Sequence, residues 1–514
     1  MKNCLTGFIE KNAYKFKVFT AFFILIYAGY ALFMNQTFDP DNIAIISIYD
    51  PTKTNWLNSL WSLTFNGAPI VIVIFLYQAL LYSVGITYDH FQFVYQLSLI
   101  FLLAIGATIL FFVFEKYFLE KDKKWLILML LVGVVSPFYS EVFVFNGPAH
   151  GLGLFLAALG LLEFVKGRYI RAFIWVFLSV GAYPVYYEIF VIYWLAYICL
   201  QICNKSYDKI SKQFIATFSI AGAAALLRVV VSKIYAVVTN TGEVKETVLG
   251  QTTIKDLFDS IVNIYRIYLE DLVHEYGVLP NYFLYFVVFF FLFWALVSDF
   301  GRYKEFLLLL LLIILIWAIP PSFCIVLKNP YAPARRYVGI FYALSATLLV
   351  CFKRILGSAN KKIIHYIAYS MLLFYLCMNY YSVQTAASDV LITNKMEAAQ
   401  MRMMQNEIEK YELESGHEIK YVAVVHFPFG KNAYDAVNTN IDYVNDPLVH
   451  MVINQSWGDI SFLNYITGEN YIRGSITDEQ IEEYFGDLED DDFATFDPDK
   501  QLVFEGDTLY WAQY

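Results

Sequence analysis

The sequence predicts a polytopic α-helical membrane protein, a bundle of about 11 transmembrane helices followed by a small α+β extracytoplasmic C-terminal domain. Three observations predict it. Of 514 residues, 59% are hydrophobic and 16% charged, more apolar side chain than a soluble domain of this length needs for its core. Apolar runs of roughly 15 to 25 residues recur from Val18 to Tyr381, near the ~20 that cross a bilayer as a helix, and then cease. The charge divides at the same place. From Val383 onward, 25 Asp and Glu stand against 7 Lys and Arg, whereas the residues before it hold 29 basic and 21 acidic side chains. Residues 1–382 therefore read as the membrane bundle and 383–514 as a soluble acidic domain.

The apolar runs place helices near 17–34, 92–114, 125–140, 148–165, 171–184, 186–203, 214–238, 281–298, 305–326, 337–352 and 363–382. An odd number of crossings puts the two ends of the chain on opposite sides, and the Lys/Arg bias of short loops selects the inner one. With the N-terminus cytoplasmic, inner loops collect 20 Lys and Arg, including Lys116, Lys121, Lys123 and Lys124; the outer loops before the tail hold seven. The first apolar run lacks a small-residue cleavage site and reads as an uncleaved helix. Ala68–Ile86 is apolar enough to span, but a crossing there would turn the basic loops outward. It reads instead, with the amphipathic Trp56–Phe65, as a re-entrant or interface-lying part of an outer loop, 35–91. At Gly181-Ala-Tyr183-Pro184-Val-Tyr186-Tyr187-Glu188 a proline and a carboxylate interrupt an apolar run, which divides into two helices meeting near the outer surface.

In the tail, Lys395–Glu414 reads as a helix and Tyr421–His426 as a strand. Thr477-Asp-Glu-Gln480 reads as a capping box opening a short acidic helix, and Leu502 to Trp511 as a hairpin turning on Gly506-Asp507. All six cysteines precede this tail, so no disulfide framework holds it.

Four groups of residues could carry chemistry. Asp39 and Asp41 follow the first helix at the outer boundary, where a partly dehydrated carboxylate can act as a general base toward a sugar hydroxyl. The same Asp-Pro-Asp-Asn would equally end one helix and cap the next. Lys328, Arg335 and Arg336 form the main outer concentration of basic charge before the tail, and the arginine fork suits a phosphate held at the lipid–water interface. Contact with anionic headgroups or with the acidic tail would use the same charges. Glu188, Tyr183 and Tyr187, with His150 after Asn146-Gly-Pro, fall at the same outer level; intramembrane ionisable groups are functional candidates, while tyrosines there serve as sugar platforms or as an interface belt. Glu489-Asp-Asp-Asp492 lacks the glycine and spacing of a calcium loop, and no residue set suggests a metal or another cofactor.

Asp39-Pro-Asp41, Ser136-Pro-Phe138, the break from Tyr183 to Glu188, the Ala334-Arg335-Arg336 loop and the closing Phe496-Asp-Pro … Leu509 segment occur in the order seen in GT-C glycosyltransferases. More narrowly, the chain resembles the serotype-converting O-antigen glucosyltransferases of the type II Gtr family. It departs from that pattern at Tyr183-Pro184, where Tyr-Gln is expected, and at Asn66-Gly67, where Gly-Arg is expected. The resemblance implies a GT-C-like bundle in the bacterial inner membrane that moves a hexose, expected to be glucose, from a polyprenyl-phosphate donor to a lipid-linked cell-surface polysaccharide. It implies Asp39 or Asp41 as the base, inversion at the sugar, no cofactor, no nucleic-acid partner, and a functional link to a flippase and a donor synthase. A polysaccharide polymerase or ligase, or a non-enzymatic glycan transporter, would share the multi-span bundle and the outer arginines.

Overall fold

A computed structural model of the protein describes residues 2–34, 80–81, 83–85, 88–144, 147–183, 185–206, 210–239, 254–274, 282–298, 300–322, 337–357, 362–427, 452–453, 456, 458–493 and 495–513. These fall into two compact units, the first drawn from 2–31, most of 80–143 and 147–384, the second mainly from 385–513.

The first unit is helical. Its elements are α1 (Lys2–Tyr30), α2 (Tyr88–Phe114), α3 (Lys123–Val134), the short α4 (Tyr139–Val144), α5 (Gly147–Val165), α6 (Tyr169–Ala182), α7 (Tyr186–Cys203) and α8 (Ile210–Thr239). They are followed by α9 (Ile254–His274), α10 (Phe283–Ser298), α11 (Tyr303–Ala318), α12 (Gly339–Gly357) and α13 (Lys362–Ser415), of which 362–384 belong to this unit. Among the described residues seven helices are long and apolar enough to cross a membrane: α1, α2, α5, α7, α8, α12 and α13. The other four expected segments also contain helices, but shorter ones. α3 has 12 residues, α6 has 14, and α10 and α11 have 16 each. Twelve residues rise only about 18 Å, against a hydrocarbon layer of about 30 Å. For α3 and α11 the cause is visible in the sequence: Ser136-Pro137 follows α3 and Pro320-Pro321 follows α11, and a proline both lacks a donor and pushes the residue before it out of helical geometry.

Two further differences from the sequence reading have equally local causes. The span near 363–382 and the helix at 395–414 are one continuous helix, α13, of 54 residues, because nothing between them is glycine or proline. The loop between α8 and α10, expected to face outward, contains α9, an amphipathic helix whose Ile264 and Tyr268 are buried while Phe258 and Val262 are exposed.

α2 packs on α5, α5 on α6, and α12 on both α3 and α7, so α7 and α12 lie at the centre and are nearly all buried. Charged residues gather at the end where α2, α5, α10 and α12 finish and α3, α6, α11 and α13 start. There Lys123 pairs with Glu115 at 3.2 Å and Glu120 at 2.7 Å. Glu163 receives Lys166 and Arg168 at 3.3 Å each and Arg171 at 3.9 Å. Arg354 donates to the Ala295 carbonyl and pairs with Glu305 at 3.4 Å, and the Lys116 ammonium lies 4.9 Å from the centre of the Tyr197 ring.

The second unit holds a four-stranded sheet. β1 (Tyr421–His426), the strand expected from its apolar run, pairs in parallel with β2 (Ile472–Arg473) and with the last strand, β4 (Thr508–Gln513). β3 (Leu502–Glu505) and β4 form the expected hairpin, with Gly506 in the turn at φ +60°, a left-handed conformation that glycine adopts without steric cost. The sheet order is β2-β1-β4-β3. Helix α14 (Asp459–Thr467) precedes β2, and α15 (Asp478–Phe485) starts at the expected capping box, Thr477 and Gln480 each bonding the other's backbone N–H. Ala423, Phe485, Phe493, Tyr510 and Ala512 form its core.

Candidate active site

At the opposite end of the first unit, α1, α3, α6 and α11 finish and α5, α7 and α12 start. Where Ser136-Pro137 stops α3, the backbone it frees is taken up by Tyr30 of α1, whose hydroxyl accepts the Ser136 N–H at 3.0 Å and lies 3.0 Å from the Val134 carbonyl. The Tyr30 ring stacks on Phe143 with centroids 4.0 Å apart. Glu141, Ser140, Ser136 and His150 are all fully buried here, an unusual density of polar side chains for a protein interior.

His150 enters from the first turn of α5. Its ring lies 4.5 Å from that of Tyr183, the extended residue that ends α6, and its Nδ1 is 3.1 Å from the Tyr186 hydroxyl at the start of α7. The Tyr186 ring is seated on Gly153, where an added Cβ would come within 2.3 Å of the ring. Tyr186 Oη is 3.5 Å from Tyr139 Oη, which is 2.5 Å from Tyr342 Oη. The Tyr342 ring in turn lies on Gly133, where a Cβ would approach to 2.7 Å.

Glu188 stands in the same first turn of α7 as Tyr186 and Tyr187, and it is completely buried. The Ser322 hydroxyl reaches its Oε1 at 3.3 Å and is 2.6 Å from the Tyr187 hydroxyl. The first residue of α12, Gly339, lies so close that a Cβ there would be 3.2 Å from Glu188 Oε2. The carboxyl group thus faces the starts of two helices, α7 and α12, whose free N–H groups and dipoles favour negative charge. α9 fixes the third side. Tyr265 donates to the Ala318 carbonyl and Tyr268 to the Trp317 carbonyl at 3.2 Å, satisfying the last turn of α11, from which Ser322 follows.

Of the residues singled out from sequence, His150, Tyr183, Tyr187 and Glu188 therefore meet at one end of the unit, joined through the first turn of α7. Asp39, Asp41, Lys328, Arg335 and Arg336 lie outside the described residues, as does most of the 35–91 loop. Ser322, Tyr139, Tyr342 and Tyr30 were not among the candidates. The usable signal for two of them, Tyr139 and Ser322, is their place just after Pro137 and Pro320-Pro321, where a helix ends.

The arrangement, a buried carboxyl group, an imidazole and several phenols at one end of an apolar bundle, suits a ligand rich in hydroxyls and oxygen acceptors. A family model described as Glucosyl transferase GtrII matches residues 75–347. The chain belongs to the GtrII glucosyl transferase family. Neither the curated proteins nor the solved structures compared with it gave a match. As a GtrII member the protein is a glycosyltransferase, which sets aside the non-enzymatic transporter reading. The matched GtrII segment contains His150, Tyr183, Tyr186, Tyr187, Glu188, Ser322 and Tyr342, together with Lys328, Arg335 and Arg336; Asp39 and Asp41 precede it and residues 385–513 follow it.

Proposed function

We propose that this glycosyltransferase moves a hexose, glucose in the family's namesake reaction, from a polyprenyl-phosphate donor to a lipid-linked cell-surface polysaccharide at the outer face of the bacterial inner membrane. The observation that carries the reading is the buried Glu188, set against the starts of α7 and α12 with Tyr187 and Ser322, in the segment that matches the family. A buried carboxyl group ringed by hydroxyls is how a protein reads sugar hydroxyls, each ionic hydrogen bond contributing about 1.5–3 kcal/mol. Tyr183 offers an aromatic face beside His150.

The reaction is a single displacement. Asp39 or Asp41 takes the proton of the acceptor hydroxyl, the oxygen forms its bond to the anomeric carbon, and the bond from that carbon to the phosphate oxygen breaks. Polyprenyl phosphate leaves with the electron pair, its charge met by Arg335, Arg336 and Lys328. The sugar inverts. A phosphate leaving group needs little protonation, so one carboxylate suffices where a glycosidase uses two. The paired charges at the far end of the bundle coincide with the loops that hold most of its Lys and Arg, which supports a cytoplasmic N-terminus. The acidic residues 383–514 would then form an extracytoplasmic domain.

The test is sugar transfer from polyprenyl-phosphate glucose to a lipid-linked glycan in liposomes, comparing wild type with Asp39→Asn, Asp41→Asn and Arg335→Ala. Loss of turnover in one Asp variant with donor binding retained identifies the base. Full activity in both removes that role, and no transfer by wild type from any polyprenyl-phosphate sugar overturns the reading.

A further inference from the structure

α9 has two faces. One is turned to the bundle: Ile264 and Tyr268 are buried, the Tyr268 ring lies 5.9 Å from that of Tyr337, and Tyr265 and Tyr268 donate to the carbonyls of Ala318 and Trp317 in the last turn of α11. The other carries Lys255, Phe258, Val262 and Arg266, three or four residues apart and therefore on one strip of the helix. All four are exposed, Phe258 at 63% and Val262 at 53%, and Asp259 is exposed at the edge of the strip. In water, apolar surface left on this face forgoes about 25 cal/mol for every Å² that could have been buried. Two apolar residues bracketed by a lysine and an arginine, each one turn away, are instead what a helix at the lipid–water boundary presents: its apolar centre sits among acyl chains and its cations reach the headgroup phosphates.

The place where α9 is fastened points the same way. α11 shows Leu307, Leu308, Leu311, Ile314 and Leu315 on its exposed side, an all-apolar strip that in a membrane protein faces lipid. That strip ends within one turn of Trp317 and Ala318, where the two phenols of α9 are bonded. α9 is therefore held at the level where a lipid-facing surface stops, which is the depth of the headgroups. We propose that α9 is an interfacial anchor whose Phe258–Val262 face docks on the bilayer, with Lys255 and Arg266 directed to lipid phosphates. Arg266 also donates to Asn263 Oδ1 at 3.0 Å, and the five donors of a guanidinium serve both contacts. Because the opposite face of the same helix bonds the last turn of α11, the lipid surface fixes the depth at which α11 ends and from which Ser322 follows.

The experiment places the photoreactive benzoylphenylalanine at Phe258 or at Val262 of the full-length protein, in liposomes of phosphatidylethanolamine and phosphatidylglycerol, and identifies the cross-linked product by mass spectrometry. The same residue at Leu311 marks a lipid-facing position, and at Ile472, exposed on β2, a position in the second unit. The expected result is a phospholipid adduct at 258 and 262 in a yield comparable to Leu311, with none at Ile472. Adducts at Leu311 but not at 258 and 262, or adducts from 258 and 262 to other parts of the chain, overturn the proposal. Amide exchange gives a second readout. Phe258→Asp with Val262→Asp, both on the exposed face and so outside the packing of the bundle, should speed exchange across 254–274 roughly 10-fold, whereas Phe258→Leu with Val262→Leu should leave it as in wild type. Equal exchange in the two double variants overturns the anchor. Neither readout depends on sugar transfer, so the proposal stands or falls apart from the transfer reaction.

Discussion

Glu163 and Glu188 are carboxylates at opposite ends of the same helical unit. Glu163 is ringed by Lys166, Arg168 and Arg171, all of them solvent-exposed, whereas Glu188 is completely buried, with a serine hydroxyl and the starts of two helices at its carboxyl group. The contrast extends to their neighbours. One end carries ion pairs of long, partly hydrated side chains, which contribute little to stability individually and anchor a membrane protein's position. The other end carries ring-based hydrogen bonds among buried side chains, where an unsatisfied group is costly and packing fixes position. Charge alone therefore does not single out the end of the bundle that holds the proposed site; burial of polar groups does.

The largest difference between the ends should appear in activity. Glu188→Gln keeps the shape and removes the charge, and is expected to lower transfer roughly 100-fold in a liposome assay, the loss of a charge-assisted contact in the transition state. Glu163→Gln should stay within about twofold of wild type. Equal loss in both variants would break the comparison. Packing gives the next effect. Gly153→Ala drives a methyl group into the Tyr186 ring and should destabilise the protein by about 1–3 kcal/mol, seen as a lowered Tm, while Gly301→Ala, with nothing within 4 Å of the added carbon, should not. The smallest effect belongs to the ion pairs. Lys123→Ala, which removes the contacts to Glu115 and Glu120, should cost less than about 1 kcal/mol, and raising the salt concentration in the thermal unfolding experiment should shrink even that difference.

Much of this was legible in the chain. The apolar runs, the basic loops and the Tyr183-Pro184 break are one-dimensional signals, and each led to a helix or a helix end. Tyr421–His426, the Thr477 capping box and the Gly506 turn were equally readable, because short apolar runs, caps and turns depend on a few adjacent residues. α9 was missed because its apolar residues recur at helical spacing among charges, so no continuous run announces it. His150 and Glu188 stood out as ionisable groups in apolar surroundings, but Tyr139, Tyr342 and Ser322 looked like ordinary members of apolar segments.

The sequence by itself determined where the chain is apolar, where its helices must stop and which residues are too polar to be buried at no cost, since these follow from local composition, proline and charge. The tertiary structure alone decided which of those polar residues meet. Tyr139 and Tyr342 are 203 positions apart and Tyr187 and Ser322 are 135 apart, separations at which no periodicity in the chain specifies a contact. Helix packing specifies it, by bringing the starts of α5, α7 and α12 together around glycines that leave room for the rings.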